Sequence, residues 1–181
     1  MLRLFLLWMP LCLSLTWTAG LPSTSDKVEL QAGKTTTQPL PRFQATTLDG
    51  RQVDSRALKG KVVVLNFWFI ACKPCIMEMP ELNELVETFS KDTNVVFLAP
   101  ALDGPAALKP FLLEKEFRYQ VIPAARTLAK ETFLVNSYPT HLVADKKGNI
   151  VYRPVGYATT NKGEGGTVDL MRQKITALLK D

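Results

Sequence analysis

Two cysteines, Cys72 and Cys75, stand in a C-x-x-C spacing just after a long, mostly apolar run at residues 62–70. The run is rich in β-branched and aromatic residues, which predicts a strand buried on both faces. The two thiols would therefore lie where a strand passes into a helix. Free backbone N–H groups and the positive end of the helix dipole favour a thiolate there and lower the pKa of the first cysteine. This pattern indicates reversible redox chemistry.

Two other uses of this cysteine pair are less favoured. A structural zinc site needs four ligands, and the chain has only Cys12 and the single histidine His141 besides this pair. A permanent structural disulfide is the second alternative, but closing so short a loop removes little entropy from the unfolded chain. We therefore expect a redox-active Cys72–Cys75 disulfide, with no metal and no other cofactor.

The composition fits one globular domain. The chain has 181 residues, of which 46% are hydrophobic and 22% charged, and these values are ordinary for a domain with a core of its own. Its net charge of +5 is small and its lysines are scattered, so a nucleic-acid surface is not indicated. We expect a single folded domain at residues 39–181 that acts as a monomer.

The first twenty residues differ from the rest of the chain. Arg3 precedes an uncharged run, and small residues at 18–20 stand at the spacing that a signal peptidase recognises. We expect residues 1–20 to be a signal peptide, with an uncleaved N-terminal membrane anchor as the alternative. Residues 21–38 are polar and unpatterned, which predicts a flexible linker. The domain would then be periplasmic or otherwise extracytoplasmic, and cleavage would remove Cys12.

After the cysteines, the sequence pattern alternates between helix and strand. Met79, Leu82, Leu85 and Phe89 keep helical spacing, and Pro80 is expected to kink this helix without ending it. The other predicted elements are a short strand at 43–48 before a turn at 49–50, strands at 95–98 and 119–122, helices at 105–117 and 128–135, a hairpin around 147–149, a glycine-rich loop at 159–166 and a helix at 170–179. This alternation predicts parallel pairing in an α/β sandwich.

Several features of the sequence together resemble one family. They are Asn66-Phe67-Trp68 before the cysteines, Pro74 between them, Glu78 and Pro80 after them, and Tyr138-Pro139-Thr140 far downstream. This combination resembles the thioredoxin-fold proteins of the TlpA/ResA type, over roughly residues 39–180. The resemblance implies a bacterial thiol:disulfide oxidoreductase that is exported or tethered to a membrane. It also implies an α/β fold, a thioredoxin-like three-layer sandwich with a central mixed β-sheet, helices on both faces and an N-terminal β extension.

The resemblance implies a role for each matching residue. Cys72 would attack a partner disulfide, and Cys75 would resolve the mixed disulfide. Pro139, expected at the first residue of a strand, matches the family's cis-proline, which lies beside the cysteines and lets the preceding residue, Tyr138, meet the substrate. The substrate-binding set implied in this way is Tyr138, Pro139, Trp68 and Pro74.

Four positions around the dithiol are left open by the sequence. Glu78 matches an acid below the dithiol that could act as a general base, but a solvated glutamate in the first helical turn fits equally well. Ala71 replaces the tryptophan usual in the family, and Asn66 stands where cytoplasmic thioredoxins carry a buried aspartate. His141 alternates with apolar neighbours, so a position on the face of a strand is favoured over a ligand or a base.

The resemblance implies that the protein reduces disulfides in partner proteins, such as an apocytochrome c, and is recharged by a membrane thiol reductase. Two alternatives stay open. A peroxiredoxin-like thiol peroxidase has the same fold, although the Pro-x-x-x-Thr-x-x-Cys pattern expected of it is absent before Cys72. A copper-binding or chaperone module would use the two cysteines and His141 as soft-metal ligands.

Overall fold

The computed structural model of the chain describes residues 38–159 and 165–181. The predicted signal peptide, nearly all of the predicted linker and the centre of the glycine-rich loop lie outside these ranges. Gln38, which the sequence analysis places at the end of the linker, begins the first described strand. No helix within the described ranges is both long enough and apolar enough to span a bilayer.

Within the described residues, the strands form a six-stranded sheet and a separate two-stranded hairpin. In chain order they are β1 Gln38–Pro39, β2 Gln44–Thr46, β3 Gln52–Asp54, β4 Val62–Phe67, β5 Val95–Pro100, β6 Gln120–Ile122, β7 Thr140–Ala144 and β8 Asn149–Tyr152. The large sheet has the order β1-β8-β7-β4-β5-β6, and β2 pairs with β3. Strand β5 runs parallel to β4 and β6, whereas β7 runs antiparallel to β4 and β8. The sheet is therefore mixed, with β4 near its centre.

Strand β4 is covered on both faces, as its apolar sequence predicts. Val62 and Val64 belong to one buried cluster, and Val63 and Leu65 belong to the other. This division follows from the two-residue period of a strand, in which successive side chains point to opposite faces. The same alternation places Asn66 on the face of Val62 and Val64.

Three helices of the described chain contribute to the cluster on that face: α1 Lys73–Thr88, α2 Pro105–Glu114 and α3 Thr167–Lys180. Helix α1 continues through Pro80, as the helical spacing on both sides of this residue predicts. Helix α2 ends at Glu114, before the predicted end at 117, because Lys115 adopts an extended conformation with φ −123° and ψ 104°.

The opposite face of β4 is covered by the β2–β3 hairpin and by the segment between β6 and β7. The hairpin is the N-terminal β extension, and its turn uses Gly50 at φ +88°, a conformation that favours glycine. The predicted helix at 128–135 is one π-helical turn, Leu128–Thr132. It is followed by Phe133, whose ring packs against Phe67 with centroids 5.1 Å apart.

Candidate active site at the start of helix α1

Cys72 and Cys75 form a disulfide at the N-terminus of α1, with their Cα atoms 5.3 Å apart. Cys72 is the N-cap residue, and its Sγ accepts a hydrogen bond from the N–H of Cys75 at 3.3 Å. This is the strand-to-helix position expected from the sequence. Cys72 keeps 5% of its surface exposed and Cys75 keeps 1%. Cys72 is therefore the more exposed of the two cysteines.

The loop between β4 and the disulfide is held by the loop that follows β5. The Oδ2 atom of Asp103 accepts a hydrogen bond from the N–H of Ile70 at 2.7 Å, and the N–H of Leu102 donates to the C=O of Trp68 at 3.1 Å. The sequence analysis did not identify Asp103. The signal that could have done so is its place just after β5, since the carboxyl ends of neighbouring parallel strands meet at one edge of a sheet.

Trp68 is fully buried, and this corrects its assignment to the substrate-binding set. Its ring packs against Phe111 and Phe117, with centroids 6.0 and 5.5 Å away. Trp68 follows Asn66 on the helix-covered face, because side chains two residues apart share a face of an extended segment. It therefore supports the site from within the core and has no surface to offer a partner.

Tyr138 and Pro139 lie immediately before β7, beside the loop that carries the cysteines. Pro139 is thus not the first residue of the strand, and its peptide bond with Tyr138 is cis, as the resemblance implies. The ring of Tyr138 packs edge-on against Phe69, with centroids 5.3 Å apart. The C=O of Pro139 accepts the N–H of Gly156 at 2.8 Å, whereas neither the N–H nor the C=O of Tyr138 has a backbone partner among the described residues. Those two groups can pair with an added strand.

The surface around Cys72 is open. Ala71, Lys73 and Pro74 are all exposed. Pro74 is the second residue of α1, where the missing N–H of proline costs no helical hydrogen bond. Since position 71 carries a methyl group instead of an aromatic ring, no large side chain from this position covers Cys72.

A buried polar cluster, formed by Asn66, Glu78 and His141, lies on the same side of the sheet as α1. Asn66 is 1% exposed, and Glu78 and His141 are fully buried. Asn66 Nδ2 lies 2.9 Å from Glu78 Oε1 and 3.2 Å from His141 Nδ1, and His141 Nε2 lies 3.2 Å from Glu78 Oε2. Glu78 is therefore not the solvated glutamate that the sequence left open.

Three elements bring the buried polar cluster together. Glu78 follows Cys75 by three residues on α1, and both are buried, because residues at this spacing share one face of a helix. Asn66 of β4 and His141 of β7 are directly paired, and opposed side chains in a sheet lie on one face. The sequence analysis missed this association, since the register of β7 against β4 cannot be read from either strand alone.

The buried polar cluster does not offer a metal site. Among the described residues, no group of three or more histidine, cysteine, aspartate or glutamate side chains is arranged to hold a metal ion. Both ring nitrogens of His141 already lie within hydrogen-bonding distance of Asn66 or Glu78. The copper-binding alternative therefore has no set of three such ligands in the part of the chain that the structure describes.

Two tyrosines have raised pKa values, and burial is the main cause in both. Burial, and secondarily the charge of Glu78, raises the pKa of Tyr119 well above its usual value. Burial and a 2.6 Å hydrogen bond to Glu81 raise the pKa of Tyr157 to about 12. Both phenols are therefore neutral near pH 7.

A groove of about 420 Å³ lies beside the loop that carries the cysteines. Its lining combines the aromatic rings of Phe69 and Tyr138 with the charged side chains of Asp103, Arg126 and Lys130. Arg126 and Lys130 are exposed, and neither forms an ion pair within the described residues. Burial raises the pKa of Tyr138, and the positive charge of Arg126 opposes this shift. The groove is thus partly aromatic and partly basic.

Comparison with known proteins assigns this arrangement to a family. The AhpC/TSA family model matches residues 36–153. The chain belongs to the AhpC/TSA family. It is also 33% identical over 141 residues to a thiol-disulfide oxidoreductase ResA of Bacillus cereus, a match that covers 78% of this chain and 79% of the relative.

Solved structures show the fold of this AhpC/TSA member in other proteins. A thiol:disulfide interchange protein of the thioredoxin family from Chlorobium tepidum TLS has a TM-score of 0.61 at 23% identity, covering 79% of this chain and 97% of that chain. MTB DsbF, solved in mixed oxidized and reduced forms, has a TM-score of 0.63 at 25% identity, covering 75% and 94%. The fold is therefore thioredoxin-like. With its C-x-x-C disulfide and its ResA relatives, the protein is a thiol-disulfide oxidoreductase.

Proposed function

We propose that the protein reduces disulfide bonds of partner proteins outside the cytoplasm, using Cys72 as the attacking thiol and Cys75 as the resolving thiol. The observation that carries this proposal is the unequal exposure of the two cysteines beside a fully buried Glu78. The outer sulfur can meet the partner. The inner sulfur can pass its proton to a carboxylate that is out of contact with solvent.

The reaction proceeds in two exchanges. The Cys72 thiolate attacks one sulfur of the partner disulfide, a mixed disulfide forms, and the other partner sulfur leaves as a thiolate that takes a proton from solvent. Cys75 then gives its thiol proton to Glu78, and its thiolate attacks the Sγ of Cys72. The Cys72–Cys75 bond forms and the second partner sulfur leaves as a thiolate. Two electrons have then passed from this protein to the partner.

The start of α1 supports the attacking thiolate. The Sγ of Cys72 already accepts the N–H of Cys75 at 3.3 Å, and the positive end of the helix dipole favours a negative charge at this sulfur. Lys73 is exposed, so solvent screens its charge and its contribution is small. The backbone of α1 is therefore the main source of stabilisation.

The partner segment is proposed to lie in the groove as an added strand. The N–H and C=O of Tyr138 offer two hydrogen bonds to an extended chain, and the ring of Phe69 offers an apolar contact. Arg126 and Lys130 favour a segment with acidic side chains near its cysteine, since opposite charges speed encounter and select the orientation. Because both cations are exposed, we expect this preference to act mainly on rate.

The physiological partners that we propose are those that the resemblance implies. They are an apocytochrome c as the substrate and a membrane thiol reductase as the electron donor. The reduction potential of the Cys72–Cys75 couple tests the direction of electron flow. A value near that of thioredoxin, about −270 mV, supports a reductant, whereas a value near about −120 mV, typical of a strong oxidant, contradicts the proposal.

The proposed export depends on residues 1–20. The positive residue, the apolar run and the small residues at 18–20 support it. Mass spectrometry of the protein recovered from its host tests the proposal. Loss of residues 1–20 supports a cleaved signal peptide, an intact N-terminus in the membrane fraction supports an anchor, and an intact N-terminus in the cytoplasm contradicts export.

The order of the two exchanges is tested with a matched pair of variants. Cys75→Ser can form a mixed disulfide through Cys72 but cannot resolve it, so it should accumulate a covalent adduct with a peptide disulfide in the test tube and with partners in the host. Cys72→Ser, which keeps the inner sulfur, should trap far less. Equal trapping by both variants, or by neither, contradicts the assigned roles.

The same variants separate disulfide exchange from a thiol peroxidase. A peroxidase that needs one cysteine would consume peroxide in the Cys75→Ser variant as fast as in the wild type during a first turnover. We expect no consumption by that variant above the rate of an ordinary exposed thiol. If Cys75→Ser consumes peroxide as fast as the wild type, the protein is a thiol peroxidase and the disulfide-exchange proposal is wrong.

A further inference from the structure

The donors and acceptors of the buried polar cluster select one protonation pattern. The Nδ2 atom of Asn66 carries two hydrogens, and its neighbours are Glu78 Oε1 at 2.9 Å and His141 Nδ1 at 3.2 Å. One hydrogen is available for each of them. The Nδ1 atom of His141 is then an acceptor, so Nε2 carries the ring hydrogen and donates it to Glu78 Oε2 at 3.2 Å.

Two other arrangements of the buried polar cluster would place an acceptor against an acceptor or a donor against a donor. If the Asn66 amide were reversed, its oxygen would face a carboxylate oxygen of Glu78. If His141 were an imidazolium, its second N–H would face the NH₂ group of Asn66. In the remaining pattern, His141 carries its hydrogen on Nε2 and both oxygens of Glu78 face hydrogen-bond donors, an arrangement that suits a carboxylate. Each oxygen of Glu78 then accepts one hydrogen bond and keeps a lone pair for an incoming proton.

No cation offsets the charge of Glu78 within the described residues. None of the described lysines or arginines forms an ion pair with it. The groups of other elements that sense its charge are the neutral phenols of Tyr119, before β6, and Tyr157, after β8. On its own helix, the neighbouring thiol is that of Cys75. A buried carboxylate without a cation depends on hydrogen-bond donors to stay ionised, and His141 supplies one of the two.

We propose that His141 is a positioning residue that keeps Glu78 ionised and correctly oriented, and that it thereby sets the lowest pH at which disulfide exchange is completed. This inference rests on the proposed role of Glu78 as the base for Cys75. Glu78 accepts the Cys75 proton only while it is ionised. Without the donor from His141, the carboxylate form of Glu78 loses one of its two hydrogen bonds, and we expect exchange to be lost at a higher pH.

The test compares two substitutions of His141 in the full chain. His141→Leu removes the donor, whereas His141→Gln keeps an amide N–H that can reach Glu78 and cannot become an imidazolium. The single-turnover rate at which the reduced protein cleaves a model peptide disulfide is measured against pH. We expect the acid limb to move upward by about one to two pH units in His141→Leu, as loss of a hydrogen bond to a charged group implies, and to return close to the wild type in His141→Gln. An unmoved limb in His141→Leu overturns the inference.

A second measurement on the wild type covers the case in which His141→Leu does not fold. Nitrogen NMR of the imidazole reports which ring nitrogen carries hydrogen. We expect hydrogen on Nε2 and none on Nδ1 of His141 throughout the pH range of activity. The opposite tautomer, or an imidazolium in that range, overturns the inference.

Glu78→Gln distinguishes a failure of this inference from a failure of the proposed function. Loss of a general base should slow the exchange by about a hundredfold or more. If Glu78→Gln keeps the wild-type rate and acid limb, the base role in the proposed function is wrong. If Glu78→Gln is slow while His141→Leu keeps the wild-type limb, the role of His141 alone is overturned.

Discussion

The anchor between Asp103 and the loop that carries the cysteines can be removed by one substitution, Asp103→Ala. The carboxylate accepts the N–H of Ile70 at 2.7 Å. A hydrogen bond to a charged group contributes about 1.5–3 kcal/mol to stability. Asp103 and Ile70 are both only partly buried, so water can replace part of the contact. We therefore expect the free energy of unfolding to fall by about 1–2 kcal/mol.

Urea unfolding of the oxidised protein measures this loss. Asp103→Asn keeps an oxygen acceptor without the charge, so it should retain part of the stability that Asp103→Ala loses. The matched control is Asp92→Ala, because Asp92 accepts the N–H of Asn94 at 2.8 Å in an exposed turn. A surface change of this kind should cost about 0.5 kcal/mol or less. Equal losses in Asp103→Ala and Asp92→Ala would refute the anchor.

The same anchor should also influence the chemistry. Asp103 fixes Ile70, two residues before Cys72, so its loss leaves the attacking sulfur less well placed. We expect Asp103→Ala to reduce the rate of peptide-disulfide cleavage several-fold under conditions in which the variant is fully folded. A wild-type rate together with lowered stability would show that the anchor serves the fold and not the position of Cys72.

Three further predictions concern the groove, a tyrosine and the core. We expect the wild type to cleave peptide disulfides flanked by glutamate with a higher kcat/KM than those flanked by lysine. The double variant Arg126→Glu, Lys130→Glu should prefer the lysine-flanked peptides instead, by several-fold in kcat/KM. If the ratio of the two kcat/KM values is the same in the wild type and the variant, the proposed occupant of the groove is wrong. The Tyr157 phenol should ionise near pH 12 instead of 10, so its stabilising effect is present below pH 10 and is lost as the pH rises toward 12. Alkaline absorbance titrations of the wild type and Tyr157→Phe check this. If the wild type shows a tyrosine transition near pH 10 that Tyr157→Phe lacks, Tyr157 ionises at its usual pH and the prediction is wrong. Leu82→Ala, in the buried face of α1, should cost about 2–5 kcal/mol, whereas Leu113→Ala, at a residue 90% exposed, should cost little; equal losses in urea contradict the packing of α1.

The sequence predicts the elements with a strong period and misses those that depend on contacts elsewhere in the fold. Strand β4 and helix α1 were predicted because each carries a long apolar pattern. Strand β1 was not predicted, since Gln38–Pro39 is exposed and becomes a strand only by pairing with β8. The end of α2 was misplaced because the predicted helix was extended to the apolar residue Phe117. In the structure, Phe117 instead stacks on Tyr119 with ring centroids 5.0 Å apart, a contact that no helical pattern contains.

For the site, spacing was sufficient to predict the disulfide but not the groups around it. The C-x-x-C pattern after a strand predicts both cysteines, because the two sulfurs are neighbours along the chain. The burial of Glu78 depends on how α1 lies on the sheet, which the local sequence does not determine. The partnership of Asn66 with His141 depends on strand order and register. The sequence did show a polar residue within each of two apolar strands. Each of these residues, taken alone, is equally compatible with a buried side chain that has no partner on the other strand.

The alignment of β7 with β4 links the chemistry of this protein to the accuracy of its assembly. A shift of one residue between two strands turns every side chain of the shifted strand toward the other side of the sheet. In such a misfolded molecule, the imidazole of His141 would be carried away from Glu78, which would then lose one of its two donors. The fraction of molecules that exchange disulfides at the full rate therefore reports the fraction in which β7 is paired with β4 in the native register.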